Sequence, residues 1–371
     1  MDTSGTKKKA LAAVILFLVS GGLRIAADRS FAFASFYTAN IYSLLAGTIG
    51  RFSGPFPFAL SELLLVLLII GTGFMLVKCW LGIRRNTCGL SLTGQILRFL
   101  AHAVPTLLLG FSVILLIYML NCGINYHAGT FSAQAGIETG NHEKEELEDL
   151  CRFLVNKIND TAATGSRHPE EDRETGMDLG TRDEWRTESR AAMIRLGAEY
   201  SLLSGYYPLP KPLLFSRLLS VQQITGIYSP FTIEAIYTRE IPDYTLPHTL
   251  CHELSHLRGY MHEDEANFIS YLACIGSPVQ AFRYSGYLTA FVYAGNALAK
   301  QNRKLYNELH GQLCTAAQSD LAANNAFWSR FDGEIAEVHE KVNDAYLKSN
   351  GQSEGVASYN RFVELMLAYY Y

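Results

Sequence analysis

No CxxC pair occurs in this chain, and its seven cysteines are scattered between Cys79 and Cys314, so the sequence signals neither a cysteine zinc site nor a disulfide framework. Charge is scarce as well: 18% of the 371 residues are charged against 49% hydrophobic, too apolar a balance for an ordinary soluble protein. The net charge of −4 leaves no basic face or stripe, which excludes nucleic acid as a partner. There is no internal repeat, and beyond Asn121 no apolar run is long enough to cross a bilayer.

The long apolar runs are concentrated in the first third. Residues 99–120 carry no charged residue other than His102 and can cross a hydrocarbon core about 30 Å thick. A second span covers about 58–80, with Glu62 near one end and Lys78 near the other. The first candidate, 10–27, is shorter and contains Arg24, whose side chain must reach the interface. A cleaved secretory leader is its rival, since Lys7 to Lys9 precede it and Ala32-Phe33-Ala34 resembles a cleavage site; the two further spans favour a retained anchor. Lys7 to Lys9, and Lys78, Arg84, Arg85 and Arg98 between the second and third spans, belong in the cytoplasm. Everything after residue 121 is then expected on the extracytoplasmic side, and residues 28–57 form a short loop partly on the membrane surface.

The composition divides the chain into a membrane anchor, 1–123, and a second domain, 124–371. Within the latter, 142–158 reads as an amphipathic helix, 159–180 as a loop with little to bury, and 181–203 as a second helix. The β-branched and aromatic stretch 221–241, broken at Ser229-Pro230, predicts two short strands, and a helical pattern continues to the end, interrupted near Gly276-Ser277-Pro278 and Asn350-Gly351. The fold class is therefore α+β, mostly helical, with a small sheet behind three transmembrane helices.

The chemistry is concentrated in PHTLCHELSHLRGY, Pro247 to Tyr260, which holds the chain's one HExxH. Residues four apart stand above one another on a helix, so His252 and His256 can offer two imidazole nitrogens to one Zn2+ ion. Glu253, on the adjoining flank, can take a proton from the attacking water. Leu250, Leu254 and Leu257 would bury the opposite face, while Cys251 points about 100° from His252 and reads as core. Gly259 allows the chain to stop and turn back. For the third ligand three residues compete: His262 completes a literal HExxHxxGxxH, Glu265 lies on a fresh helix EDEANFISYLAC, and Glu263 is its neighbour. Tyr284, Tyr287 and Tyr359 are candidate oxyanion donors, and the strand Phe231–Tyr237 is a candidate edge for an extended substrate.

HELSHLRGY followed by EDEANFISYLAC, with three N-terminal spans, SPFTIEA upstream, YSGY at 284–287 and the tail at 346–362, resembles an uncharacterised bacterial membrane-protein family. That family is known as domain of unknown function 3810 and is grouped with zincin peptidases. The resemblance implies a zincin-like metallopeptidase domain, a bacterial cytoplasmic membrane, and zinc held by His252, His256 and Glu265 with Glu253 as base. His262 departs from it, since an arginine-like residue is expected there. The function expected is hydrolysis of a peptide or protein substrate at the outer membrane surface. The alternative is an inactive zinc-binding scaffold or a sensor, although a closed structural site would have four protein ligands and no need of Glu253.

Overall fold

The computed structural model describes residues 3–86, 91–140, 142–163, 181–350, 352 and 359–371. Its three longest helices are α1 (Thr3–Arg29), α4 (Leu60–Asn86) and α5 (Leu92–Tyr118), each 27 residues long, or about 40 Å at 1.5 Å per residue. Between the first two lie α2 (Phe31–Phe36) and α3 (Ser43–Ser53), joined by a π-helical turn, Tyr37–Tyr42. α1, α4 and α5 are long and apolar enough to cross a membrane, and Leu18, Ile69 and Leu97 are among the large apolar side chains they turn outward. α1 packs along α5, and Arg29, Leu60 and Tyr118 mark one end of the three.

Residues 28–57 depart from the expected surface loop. Ser30 caps α2 by accepting from the Phe33 amide, and the segment that follows is helical and packed into the protein. Tyr42 is buried; its hydroxyl donates to the Leu257 carbonyl at 2.9 Å and lies 2.9 Å from the Tyr228 hydroxyl. Because Tyr37, Tyr42, Met119 and Ile124 share one core with the helices of the C-terminal part, no flexible spacer separates the two parts near residue 123.

From there run α6 (Phe131–Gln134), α7 (Lys144–Ala163), α8 (Arg182–Glu199), β1 (Lys211–Pro212), α9 (Arg217–Ser220), β2 (Gly226–Ser229), β3 (Glu234–Tyr237) and α10 (Leu246–Leu257). They are followed by α11 (Glu263–Ile275), α12 (Gln280–Gln301), α13 (Arg303–Gly311), α14 (Thr315–Trp328), α15 (Glu334–Ser349) and α16 (Tyr359–Tyr370). α7 runs on to Ala163, so the first residues of the predicted loop, 159–163, are helical, and 164–180 lie outside the described residues. The two predicted strands form, and a third, β1, joins them in the order β1-β3-β2. β3 is central, so the expected edge at Phe231–Tyr237 is corrected: the edge belongs to β2, which pairs antiparallel with β3 in the register Ile227↔Ile236.

A carboxylate joins the sheet to the spans. Glu234 of β3 accepts from the first amides of α4, Leu60 at 3.1 Å and Ser61 at 3.0 Å, where the helix leaves its donors unpaired. Lys211 Nζ, 2.6 Å from Glu234 and 2.7 Å from the Ser53 carbonyl, balances the charge in a site that excludes water.

Candidate metal centre

α10 is buried on nearly every side, between the sheet and α8, α11 and α12. Leu250, Leu254 and Leu257 are fully covered, as their spacing predicts, and so is Cys251. Pro247 stands in the first turn of the helix, where a missing N–H costs nothing. Beyond Leu257 the chain reverses at Gly259, whose φ of +100° suits glycine and where a Cβ would stand 2.9 Å from Thr38 Cγ2.

After the reversal α11 returns alongside α10, and the two share a polar seam. Glu263, Asn267 and Ser270, at i, i+4 and i+7, face α10. Ser270 Oγ lies 2.6 Å from His248 Nε2, and Asn267 Oδ1 lies 3.0 Å from His252 Nδ1. Glu263 approaches both motif histidines, 3.3 Å from His252 Nε2 and 3.6 Å from His256 Nε2.

The structure therefore brings Glu263 to the two histidines, and not the expected Glu265. Two residues on a helix are about 200° apart, so when Glu263 faces α10, Glu265 must face away. It is buried against residues 130–132 instead, accepting the Ser132 amide at 2.9 Å and the Ser132 hydroxyl at 2.5 Å. His262 is turned out as well: its Nε2 donates to the Tyr126 carbonyl at 2.9 Å.

The donor set fits a divalent cation. His252 Nδ1 donates to Asn267 Oδ1, and His256 Nδ1 donates to the Tyr260 carbonyl at 2.8 Å, which leaves each neutral imidazole with a bare lone pair at Nε2. Those two atoms face each other at 3.0 Å beside a carboxylate. Bare acceptors at that distance repel unless a positive charge stands between them. Tetrahedral ligands about 2.0–2.1 Å from zinc are about 3.3 Å apart, and the observed separations bracket that value. A proton on His252 can meet the same demand, as the shifts within the set show. Burial and then the charge of His252 push His256 down to about 4. Burial would lower His252 too, but the hydrogen bond and charge of Glu263 outweigh it and raise that imidazole. In the same way the histidines overcome the effect of burial on Glu263 and hold it down at about 2.

Glu253 is the exception among these groups. It is buried, its Oε2 has no hydrogen-bond partner among the described residues, and burial pushes its carboxyl up to about 8. β2 passes close over it because residue 226 is glycine; a Cβ there would stand 2.7 Å from Glu253 Oε1. An unpartnered carboxylate beside converging metal donors is equipped to accept and return a proton near neutral pH.

These residues form the floor of a cleft of about 980 Å³. One wall is the chain from Gln222 to Tyr228, and α15 is the other, with Gln223 Nε2 donating to Asp332 Oδ1 at 2.9 Å across the mouth. Tyr118, Tyr126, Tyr228 and Tyr346 line the cleft. Of the expected ones, Tyr284 donates to Asp320 at 2.6 Å and Tyr287 packs edge-on to Tyr271, and neither lines the cleft; the side chain of Tyr359 lies outside the described residues. No motif marks the cleft tyrosines in the sequence, because they come from α5, the turn after it, β2 and α15 and meet only in the fold.

A family model described as protein of unknown function (DUF3810) matches residues 37–367. No curated protein and no solved structure matches the chain.

Proposed function

The chain belongs to the DUF3810 family of proteins of unknown function, and from that premise we propose that it is a membrane-anchored zinc-dependent peptidase with His252, His256 and Glu263 as metal ligands and Glu253 as general base. The observation that carries the reading is the meeting of two bare imidazole lone pairs and a carboxylate on the floor of an open cleft, one residue from a buried carboxylate without a partner. A zinc ion bound there would supply a Lewis acid with an open position for water and a substrate carbonyl. Glu253 accepts the proton of the attacking water and delivers it to the leaving amine. Asn267 and the Tyr260 carbonyl hold the imidazoles in the ligating tautomer. The outer edge of β2 presents backbone donors and acceptors to an extended polypeptide along the cleft wall. The basic segments 7–9 and 78–98 support an extracytoplasmic cleft. Among the described residues three donors converge, where a closed structural site would have four, and this favours catalysis over a scaffold.

The test measures zinc per protein and peptide hydrolysis on the full chain in lipid nanodiscs. Glu253→Gln should retain zinc and lose at least about a hundredfold in rate. Glu263→Ala should strip zinc under mild chelation and Glu265→Ala should not. Hydrolysis that persists undiminished in Glu253→Gln, or zinc that stays bound in Glu263→Ala, overturns the reading.

A further inference from the structure

Both walls of the cleft are tied to the ends of the membrane helices, and both carry an exposed apolar row. On one side the two oxygens of Glu62, in the first turn of α4, accept the amides of Leu214 at 3.0 Å and Phe215 at 2.8 Å. The side chains of Leu214, Phe215 and Leu218 are nevertheless 59%, 58% and 62% exposed. This segment leads through α9 directly into the wall that starts at Gln222.

On the other side α15 ends in the same layer. Arg24, near the end of α1, donates to Asn350 Oδ1 at 3.1 Å and to the Ser349 carbonyl at 2.5 Å, and Tyr118, the last residue of α5, donates to Asn350 Oδ1 at 3.1 Å. α15 is two-faced. His339, Asn343 and Tyr346, at i, i+4 and i+7, line the cleft, while Ile335, Val338 and Val342, at i, i+3 and i+7, are 61%, 59% and 60% exposed.

Leu214 and Phe215 are held at the end of a membrane helix, and the row on α15 begins about 10 Å along that helix from its tie at Ser349; for both rows the one nearby environment in which exposure is favourable is the interfacial layer of the bilayer. Each row of three side chains is far smaller than the roughly 800 Å² per partner that a stable protein interface uses, which argues against a second copy as the occupant. The amides of Leu214 and Phe215 are already satisfied by Glu62, so their side chains can enter the interface without desolvating free backbone groups.

We propose that the cleft is seated on the bilayer, with Leu214, Phe215 and Leu218 on one wall and Ile335, Val338 and Val342 on the other inserted in the interfacial layer, and that its substrates are polypeptides held at that surface. The substrate class rests on the peptidase reading above; the seating does not. A lipid-held polypeptide is confined to the plane in which the cleft opens, which raises its effective concentration there by tenfold or more.

The test for seating uses the full chain in nanodiscs of phosphatidylethanolamine and phosphatidylglycerol, with p-benzoylphenylalanine replacing Phe215, Val338 or, as control, exposed Lys304 on α13, which packs on α7 and α12. Illumination should give lipid adducts at 215 and 338 and none at 304. Absence of lipid at 215 and 338, or crosslinks there to a second copy of the chain, overturns the proposal. The test for substrate class compares one peptide free in solution with the same peptide linked to a lipid in the nanodisc. The linked form should be cut at least about tenfold faster. Replacing Leu214, Phe215 and Leu218 together by Ser should erase most of that preference, with zinc content and the free-peptide rate unchanged. Equal rates for the two forms in the wild type overturn the substrate class. If neither form is cut while lipid adducts still form at 215 and 338, the peptidase reading fails and the seating is supported.

Discussion

Glu234 and Glu253 are both almost wholly buried, yet they serve opposite ends. Glu234 accepts from Lys211, from the amides of Leu60 and Ser61, and from Thr232 at 2.7 Å, so both its oxygens are satisfied. Glu253 keeps one oxygen with no donor among the described residues, and its carboxyl is pushed up to about 8. A buried carboxylate with a full set of donors belongs to the frame of a protein; one deprived of them is held ready to change its protonation state.

The sharpest way to break this comparison is at Lys211. Lys211→Met would leave Glu234 buried without its cation, and the loss should be about 3–5 kcal/mol, seen as a lower unfolding midpoint in detergent. An unchanged midpoint would mean that the helix amides alone hold Glu234. For Glu253 the expected sign is reversed. Its carboxyl titrates near 4.5 when unfolded and near 8 when folded, so between those values the folded chain keeps a proton that the unfolded chain has released. Stability of the chelator-treated protein is therefore fully present below about pH 4.5 and lost as pH rises toward 8, by about 1.4 kcal/mol per pH unit. Glu253→Gln removes that slope, so its advantage over the wild type should widen from pH 5 to pH 8; parallel melting curves across that range would show that Glu253 has a partner after all.

Two smaller effects sharpen the same contrast. Gly226→Ala pushes a methyl group against Glu253, and hydrolysis should fall about tenfold with zinc retained, since no ligand is touched. A normal rate would show that β2 can withdraw. His262→Arg removes one bond to the Tyr126 carbonyl and should cost about 1 kcal/mol or less of stability, with zinc content unaltered. Loss of zinc in that variant would restore the literal HExxHxxGxxH pattern.

Much of the frame was legible in the sequence. The three long apolar helices, the helix carrying His252 and His256, the stop at Gly259 and the strands on either side of Pro230 follow from periodicity, length and turn residues. Which of Glu263 and Glu265 faces α10 was not, because it depends on the phase of α11, and the wholly buried face of that helix offers no polar–apolar alternation to fix it. The one usable signal was Glu263-x3-Asn267-x2-Ser270, a polar stripe matching His248, His252 and His256 in the facing helix. The joint at Glu234 was also hidden, since its partners come from residues 60, 61, 211 and 232, and Lys211 is held in turn by the carbonyl of residue 53. Residues 28–57 misled for a different reason: aromatic residues suit a membrane surface and a protein core equally well.

The cap on α4 has a mechanical consequence. A transmembrane helix longer than the bilayer is thick usually relieves the mismatch by tilting. α4 cannot lean over freely, because its first two amides are bonded to a carboxylate rooted in the central strand of the sheet. A change in bilayer thickness must then be met by the lipid around α4, by its far end near Arg84 and Arg85, or by the sheet turning with the helix and taking the cleft wall with it.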